Sequence, residues 1–168
     1  MEAATQTDSY PWFVLYVKPR HEKSVSTMLQ GKGYEEFLPL YTRHTRSRNT
    51  ELPLFPGYVF CRMDLANRLP VLTVPGVFSI VGTAGRPVPV DEEEIAALHR
   101  VITSGLQREP WPNLPEGSPV TVSRGPMRGI QGVVVRHRNS MRVIITVSAL
   151  ERAVAVEVER DWLGSEVC

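Results

Sequence analysis

The spacing of hydrophobic residues predicts alternating strands and helices over the first part of the chain. An aromatic and β-branched run at residues 12–17 (WFVLYV) predicts a buried strand. The spacing then becomes helical, because Val25 and Leu29 fall on one face, and Glu22 is expected on the opposite, solvated face. The clearest helix begins at Asp91, which has capping-box spacing with Glu94. Shorter apolar runs predict three more strands, at residues 37–41, 58–63 and 78–81.

The last part of the chain has a different pattern. Short β-branched runs separated by glycine or polar turns lie at residues 120–122, 133–135, 143–147 and 154–158. This pattern predicts a small antiparallel barrel of about five strands. Residues 107–116 (QREPWPNLPE) contain three prolines and no periodicity, so they are expected to form a semi-extended linker between two domains.

Composition places the chain among globular proteins, with 42% hydrophobic and 22% charged residues and a net charge of +1. No run approaches the ~18–20 apolar residues that cross a bilayer. Residues 1–9 lack the features of a secretory signal. Cys61 and Cys168 form neither a disulfide framework nor a metal-ligand spacing. We therefore expect a cytoplasmic protein with no membrane partner and no cofactor.

The cations are concentrated in two stretches of the chain. Residues 18–48 carry seven cations against three acids, and residues 120–142 carry five arginines and no acid. Segregated charge of this kind can steer a protein toward phosphates even when the net charge is near zero. Each stretch can equally be a solvated face, and the charge pattern alone does not separate the two interpretations.

The sequence contains no recognisable catalytic constellation. Its four histidines are scattered, and none has a carboxylate or cysteine partner at a motif spacing. A Ser-centred nucleophile elbow, a phosphate-binding P-loop and a pair of metal ligands on one helix face are all missing from the sequence. We therefore expect a binding protein and not an enzyme.

The segment LPLFPGYVF at residues 52–60 contains three closely spaced aromatic residues. The Pro56–Gly57 turn is expected to begin a strand on which Tyr58 and Phe60 share one face. Phe55, Tyr58 and Phe60 can be ordinary core residues. Alternatively, some of them remain uncovered as an apolar groove that accepts an amphipathic helix of a partner.

The segment GSPVTVSRGPMRGIQGVV at residues 117–134 predicts a hairpin tip that needs unusual backbone angles. The closely spaced glycines, including Gly129 and Gly132, are explained by turn chemistry. Arg124 and Arg128 are expected to flank the tip, where they can bind a partner or simply increase solubility.

Together, these two segments resemble the NusG family of bacterial transcription elongation factors. The matching pieces are WFVLYVKPRHEK, LPLFPGYVFCRMD, VPGVFSIVG, GRPVPVDEEEI and EGSPVTVSRGPMRGIQGVVV, in the family's order and spacing. The resemblance implies an α+β N-terminal NGN domain, with an antiparallel sheet and flanking helices, and a small all-β KOW barrel of the SH3-like type. The expected boundaries are a disordered N-terminus at 1–9, the NGN domain at 10–106, the linker at 107–116 and the KOW domain at 117–168.

The resemblance is to specialised paralogues, the antiterminators of the UpxY, LoaP and RfaH type, which act on particular long operons. It is carried by VKPRHEKSV, FLPLY and LPLFPGYVF. At the KOW tip Met127 stands where the general factor usually has phenylalanine, and the later loop reads VSALERAVAV. The expected function is transcription antitermination: the NGN domain binds RNA polymerase and suppresses pausing or termination.

The resemblance also assigns residues to partners. The positions matching the pocket that binds the β′ clamp helices of RNA polymerase are Tyr16, Phe55, Pro56, Tyr58 and Phe60. Asn67 and Arg68 match the region that contacts the opposite jaw, the β subunit. The basic positions that match the region near upstream or non-template DNA are Lys18, Arg20, His21 and Lys23. At the KOW tip, the partner-binding positions are Arg124, Met127 and Arg128, with a ribosomal protein or the Rho factor as the family's partners.

Two alternatives remain open at this level. One is a general elongation factor coupled to termination or translation. The other is an RNA-binding, ribosome-associated KOW protein that uses the arginines of the barrel, namely Arg124, Arg128, Arg136 and Arg138. One family member refolds its C-terminal domain between helix and barrel. Because the runs at 143–147 and 154–158 are strongly β-branched, we expect a stable barrel and no such switch.

Overall fold

In the computed structural model, residues 10–112 and 119–164 are described, and the chain forms two units. One unit is the chain up to Leu38 together with Phe55–Glu92, and the other is Pro39–Leu54 together with the chain from Glu93 onwards. The predicted disordered segment at residues 1–9 lies outside the described residues. No helix in the described ranges is long and apolar enough to cross a membrane.

The elements follow the predicted alternation. In chain order they are β1 (Trp12–Val17), α1 (Glu22–Gly31), β2 (Glu35–Phe37), β3 (Leu40–His44), β4 (Asn49–Pro53), β5 (Tyr58–Arg62), α2 (Leu69–Leu72), β6 (Val77–Ile80), β7 (Gly82–Thr83), β8 (Arg86–Pro87), α3 (Glu92–Ser104), β9 (Arg108–Trp111), β10 (Pro119–Thr121), β11 (Gln131–His137), β12 (Ser140–Val147) and β13 (Arg152–Val158).

The first unit is built on a four-stranded antiparallel sheet with the strand order β2–β5–β1–β6. One face of the sheet packs against α1, whose Val25 and Leu29 are fully buried. Alternate residues of β1 and β5 complete this core, namely Phe13, Leu15, Val17, Val59 and Cys61. Full burial of a side chain of this size stabilises the fold by about 1.5–3 kcal/mol. The apolar faces that the helical and strand spacings predict therefore pack together in one core.

The opposite face of the same sheet carries the other residues of β1 and β5. Trp12 is buried there and Arg62 lies over its ring, with the guanidinium carbon 5.1 Å from the ring centroid. The Arg62 guanidinium also forms ion pairs at 3.0 Å with Glu35 and with Glu92. This cluster ties the start of β1, the end of β5 and β2 together.

The second unit contains a five-stranded antiparallel sheet with the order β10–β11–β12–β13–β9. It also contains α3 and a separate two-stranded hairpin, β3–β4. The β-branched runs supply the buried residues of β12 and β13, including Val143, Val147, Val154 and Val156. The prediction of a small all-β region at this end of the chain is confirmed, and so is the α+β class of the region that precedes it.

Part of the predicted linker is a strand. Arg108–Trp111 form β9, which pairs with β13 through the register Val154↔Pro110 and Ala155↔Glu109. The prolines did not prevent this pairing, since β9 lies at the edge of its sheet, where a missing backbone donor is tolerated. Residues 113–118 lie outside the described part of the chain.

Two polar contacts join α3 to loops of the five-stranded sheet. The Glu94 carboxylate accepts hydrogen bonds from the Ser148 hydroxyl at 2.7 Å and from the Ser148 backbone N–H at 3.1 Å. Arg100 donates to the carbonyl oxygen of Pro126 at 2.8 Å. The capping-box spacing at the start of α3 did not predict that the Glu94 carboxylate would bind a loop far along the sequence.

Candidate functional site: an exposed aromatic patch beside a basic loop

Three aromatic side chains form an exposed patch at one end of the four-stranded sheet. Tyr16 of β1 lies directly opposite Tyr58 of β5 in the strand register, and their ring centroids are 5.8 Å apart. Phe78 of β6 lies on the other side of Tyr16, at 5.4 Å. Tyr16 is 43% exposed and Phe78 is 57% exposed, whereas Tyr58 is half-buried between strands. We call Tyr16, Tyr58 and Phe78 the aromatic patch.

The turn that precedes β5 supports the patch from below. Gly57 has a φ of +86°, which only glycine adopts readily, and its carbonyl accepts the Val17 N–H at 2.8 Å. The Gly57 N–H donates to the Glu22 carboxylate of α1 at 2.9 Å. Glu22 is only 6% exposed, so the sequence interpretation that placed it on the solvated face of the helix was wrong.

The structure separates the predicted polymerase-binding residues into two groups. Phe55 is 3% exposed and Phe60 is 0% exposed, and their rings meet edge to face at 5.7 Å. These two residues therefore support the fold from within, and their rings are not available to a partner. Tyr16, Pro56 and Tyr58 remain at the surface. Tyr58 and Phe60 share one face of β5, as the alternation predicted, but only Tyr58 reaches solvent.

Phe78 was not among the predicted site residues. It lies in a predicted strand, where alternation assigns each side chain to one face of the sheet according to its neighbours in the sequence. The pairing of β1 with β6 changes register between Tyr16 and Val17. Because a register irregularity redirects side chains locally, the exposure of Phe78 depends on a pairing between distant strands. Apart from the presence of an aromatic residue, nothing in the segment VPGVFSIVG indicated that Phe78 would be exposed.

A basic loop follows β1 directly and leads into α1. Its Lys18 N–H donates to the carbonyl of Gly76 at 2.7 Å, and the Lys18 carbonyl accepts the His21 N–H at 3.0 Å. Arg20 has a φ of +69°, a strained value for a non-glycine residue. The side chains of Lys18, Arg20 and Lys23 are exposed and that of His21 is half-buried. We call Lys18–Lys23 the basic loop; it begins two residues after Tyr16 of the aromatic patch.

Asn67 and Arg68 lie in a short turn before α2, and both are exposed. The turn begins at Asp64, whose carboxylate accepts the N–H of Ala66 at 3.0 Å. Leu69, which follows, is 68% exposed and adds an uncovered apolar side chain to this surface.

The predicted KOW tip is a tight turn in the second unit. Gly125 and Gly129 have φ values of +81° and +88°, as the turn interpretation required. Arg124 and Arg128 are exposed at the tip, whereas Met127 is fully buried beneath it. Met127 is therefore part of the local core and is not available to a partner. Gly132 lies within β11 and not in the turn, which corrects the turn interpretation for that glycine.

Among the described residues, no group of three or more His, Cys, Asp or Glu side chains is arranged to hold a metal ion. Cys61 is the buried thiol of β5, and burial, with a smaller contribution from the Glu36 carboxylate, raises the pKa of that thiol to about 12. A thiol in this environment stays protonated and unreactive at neutral pH.

Comparison with known proteins identifies the family. The family described as transcription termination factor nusG matches residues 10–99. The transcription termination/antitermination protein NusG of Pseudomonas aeruginosa is 31% identical over 167 aligned positions, and the match covers 88% of this chain and 94% of the relative. The NusG protein of Escherichia coli strain K12 is 33% identical over 123 residues, covering 70% of this chain and 67% of the relative.

A solved structure described as domain interaction in Thermotoga maritima NusG shares the fold. It has a TM-score of 0.60 and 22% identity, and the similarity covers 95% of this chain and 99% of that one. Proteins of this family are transcription factors and not enzymes, in agreement with the binding function expected from the sequence. This chain belongs to the NusG family of transcription termination and antitermination factors.

Proposed function

We propose that this chain is an operon-specific antitermination factor of the UpxY, LoaP and RfaH type, which binds RNA polymerase and suppresses pausing or termination. The observation that carries the proposal is the aromatic patch. Tyr16 and Phe78 are large apolar side chains exposed by 43% and 57%, on the part of the chain that matches the family. Exposed rings clustered in this way are typical of surfaces that bind another protein.

The patch suits an apolar helix as its partner. In this proposal, the rings of Tyr16, Tyr58 and Phe78 contact the clamp helices of the β′ subunit, and exposed Pro56 lies at the rim. Aromatic anchors supply large contact area at low entropy cost, and each is worth roughly 2 kcal/mol or more at the centre of an interface. Phe55 and Phe60 act indirectly, because they fix the turn and strand that present Tyr58. Asn67 and Arg68 supply a second contact, to the β subunit.

The basic loop is proposed to hold DNA beside the polymerase. Lys18, Arg20 and Lys23 are exposed cations only a few residues from Tyr16, so one rigid sheet end presents both surfaces. Cations in this arrangement bind phosphates of upstream or non-template DNA, and His21 stacks on or hydrogen-bonds to an exposed base.

The proposed mechanism is bridging, with no chemical step. A factor that binds the closed polymerase clamp more tightly than the open one shifts the population toward the closed, productive state. A shift of this kind opposes pausing by an amount set only by the difference between the two affinities.

Contacts in the second unit favour a specialised antiterminator over a general elongation factor. The loop at Ser148 is bound by Glu94, and the tip at Pro126 is bound by Arg100. Met127, which replaces the usual phenylalanine, is buried. The loops of the KOW domain, proposed here as residues 117–168 behind an NGN domain at 10–106, are therefore engaged by α3 in the free chain. Arg124 and Arg128 remain exposed for a partner, with a ribosomal protein or Rho as the classes to test.

The docking step is tested by co-purification with core RNA polymerase. The double variant Tyr16→Ala/Tyr58→Ala is expected to lose binding by about two to three orders of magnitude, since two anchors of roughly 2 kcal/mol each are removed. The matched control Tyr16→Phe/Tyr58→Phe keeps the rings and is expected to bind normally. Substitution of Phe60 would test folding and not docking. Normal binding by a folded alanine variant would refute the proposal.

Operon specificity is tested by the distribution of the protein along transcribed genes in cells. An antiterminator of the proposed type is expected on one or a few long operons, from a defined upstream site to the operon's end. A uniform distribution over most transcribed genes would overturn the specialised role and leave a general factor in its place.

A further inference from the structure

The hairpin formed by β3 and β4 presents a second cationic surface that the proposed function does not use. The hairpin is a two-stranded sheet in the second unit, paired from Leu40↔Pro53 to His44↔Asn49. Its outer part, residues 42–49 (TRHTRSRN), contains three arginines and one histidine but no acid, and every residue in it is exposed.

The tip of the hairpin is ordered by groups other than the arginine side chains. The Thr45 hydroxyl donates to the carbonyl of Arg48 at 2.7 Å and accepts the Arg48 N–H at 3.2 Å. The His44 ring and the Asn49 side chain are hydrogen-bonded across the strands at 2.9 Å. The guanidinium groups of Arg43, Arg46 and Arg48 therefore project from a defined turn and are available to a ligand.

The base of the hairpin is fastened to the rest of its unit. Arg108 of β9 donates from its Nε to the carbonyl of Leu40 at 2.9 Å. Burial lowers the pKa of Arg108, and the Glu51 carboxylate opposes that shift, so the hairpin's one acid lies close enough to Arg108 to act on it. Glu51 lies opposite Thr42 in the strand register and acts on Arg108, and the residues nearer the turn carry only positive charge.

We infer that the tip of this hairpin binds duplex DNA through its phosphate backbone. A two-stranded ribbon fits the major groove of B-form DNA, which is about 12 Å wide and about 8.5 Å deep. At about 3.4 Å per residue, the exposed strand ends reach roughly 10 Å beyond the base before the turn, which is enough to enter that groove. Arg43, Arg46 and Arg48 then contact phosphates on its walls.

Duplex RNA fits the same surface poorly. The major groove of A-form RNA is deep and too narrow for side chains to read, and its shallow minor groove favours flat surfaces. An acidic protein partner would need carboxylates matched to three separate guanidinium groups, whereas a DNA duplex presents a phosphate every few ångströms along each groove wall. The hairpin's shape and charge together therefore favour DNA. This contact is separate from polymerase docking and from the basic loop, and it goes beyond the proposed function.

The test measures binding of the full chain to a fluorescent duplex of 20 base pairs across a series of salt concentrations. Removing three phosphate contacts with Arg43→Gln/Arg46→Gln/Arg48→Gln is expected to weaken binding about tenfold or more and to reduce the slope of log affinity against log salt by about 2–3. The control Arg86→Gln/Arg152→Gln/Arg160→Gln removes three exposed arginines elsewhere and is expected to bind like the wild type.

Three results would overturn the inference. A hairpin variant that keeps the wild-type affinity and slope would overturn it, as would an equal loss in the control variant. Tighter binding to an RNA hairpin of the same length would also overturn it, because RNA would then be the ligand.

The variant Lys18→Gln/Arg20→Gln/Lys23→Gln separates this site from the basic loop: a further loss when it is combined with the hairpin variant supports two independent sites. Failure of polymerase docking leaves the measured DNA affinity unaffected, so the two proposals fail separately.

Discussion

The carboxylate of Glu22 accepts a hydrogen bond from the backbone N–H of Gly57 at 2.9 Å, and both residues are buried. Glu22 begins α1, and Gly57 is the left-handed residue of the turn that begins β5. A single side chain therefore joins the helix that covers one sheet face to the turn beneath Tyr58 on the other. Glu22 also lies within the basic loop, between Arg20 and Lys23, so both candidate surfaces depend on this contact.

We predict that Glu22→Ala destabilises the fold by about 1–3 kcal/mol, because it leaves the buried N–H of Gly57 without an acceptor. Glu22→Gln keeps an oxygen acceptor at the same position and is expected to lose less than half of that amount. The measurement is the urea midpoint of unfolding for both variants. Equal midpoints for Glu22→Ala and the wild type would show that water replaces the carboxylate at no cost.

The strand that follows Gly57 shows which features the sequence predicts and which it does not. Strand alternation placed Tyr58 and Phe60 on one face, which the pairing of β5 with β1 confirms. Alternation does not say how far along a strand the covering layer extends. That depends on residues distant in the sequence, so the burial of Phe60 and the exposure of Tyr58 could not be separated beforehand.

A similar limit applies to charged residues near helix starts. Glu22 and Glu94 both follow patterns that predict a solvated or capping role. In the structure Glu22 binds Gly57, and Glu94 binds Ser148, at separations of 35 and 54 residues. Local pattern rules describe neighbours within a turn or two of helix, and they carry no information about such distant partners. Family resemblance correctly indicated the fold, but it did not distinguish buried Phe55 and Met127 from their exposed neighbours.

Gly132 offers a test of packing in the five-stranded sheet. A Cβ atom at this position would lie 2.5 Å from the Val143 Cγ1 atom and 2.6 Å from the Ile144 carbonyl oxygen. Because the second of these is backbone, the clash cannot be relieved by a rotamer change. We predict that Gly132→Ala destabilises the protein by about 1–3 kcal/mol.

The control for this prediction is Gly129, whose requirement is conformational and not steric. It has a φ of +88°, and a Cβ atom there would meet only Arg100, at 3.8 Å. Gly129→Asn is expected to cost well under 1 kcal/mol, since asparagine tolerates the left-handed region. The measurement is the thermal and urea unfolding of both variants. If Gly132→Ala is no less stable than Gly129→Asn, the close approach of β11 to β12 is not what requires glycine at position 132.

Cys61 provides a prediction about pH. Burial, with help from the Glu36 carboxylate, raises the pKa of its thiol from an ordinary value of 9.0 to about 12 in the folded chain. The unfolded chain ionises this thiol first, so stability due to the protonated thiol is complete below pH 9 and is lost progressively as the pH rises toward 12.

The variant Cys61→Ala is less stable at neutral pH because it leaves a cavity. We expect the difference in unfolding free energy between the wild type and Cys61→Ala to shrink steadily from pH 8.5 to pH 11. Both proteins carry Tyr34→Phe in this comparison, because burial and the nearby Cys61 raise the pKa of Tyr34. Ionisation of the other tyrosines affects both proteins alike and cancels in the difference, which is measured by urea unfolding at each pH. A difference that stays constant over this range would mean that Cys61 ionises as easily in the folded chain as in the unfolded one, in conflict with its complete burial against α1.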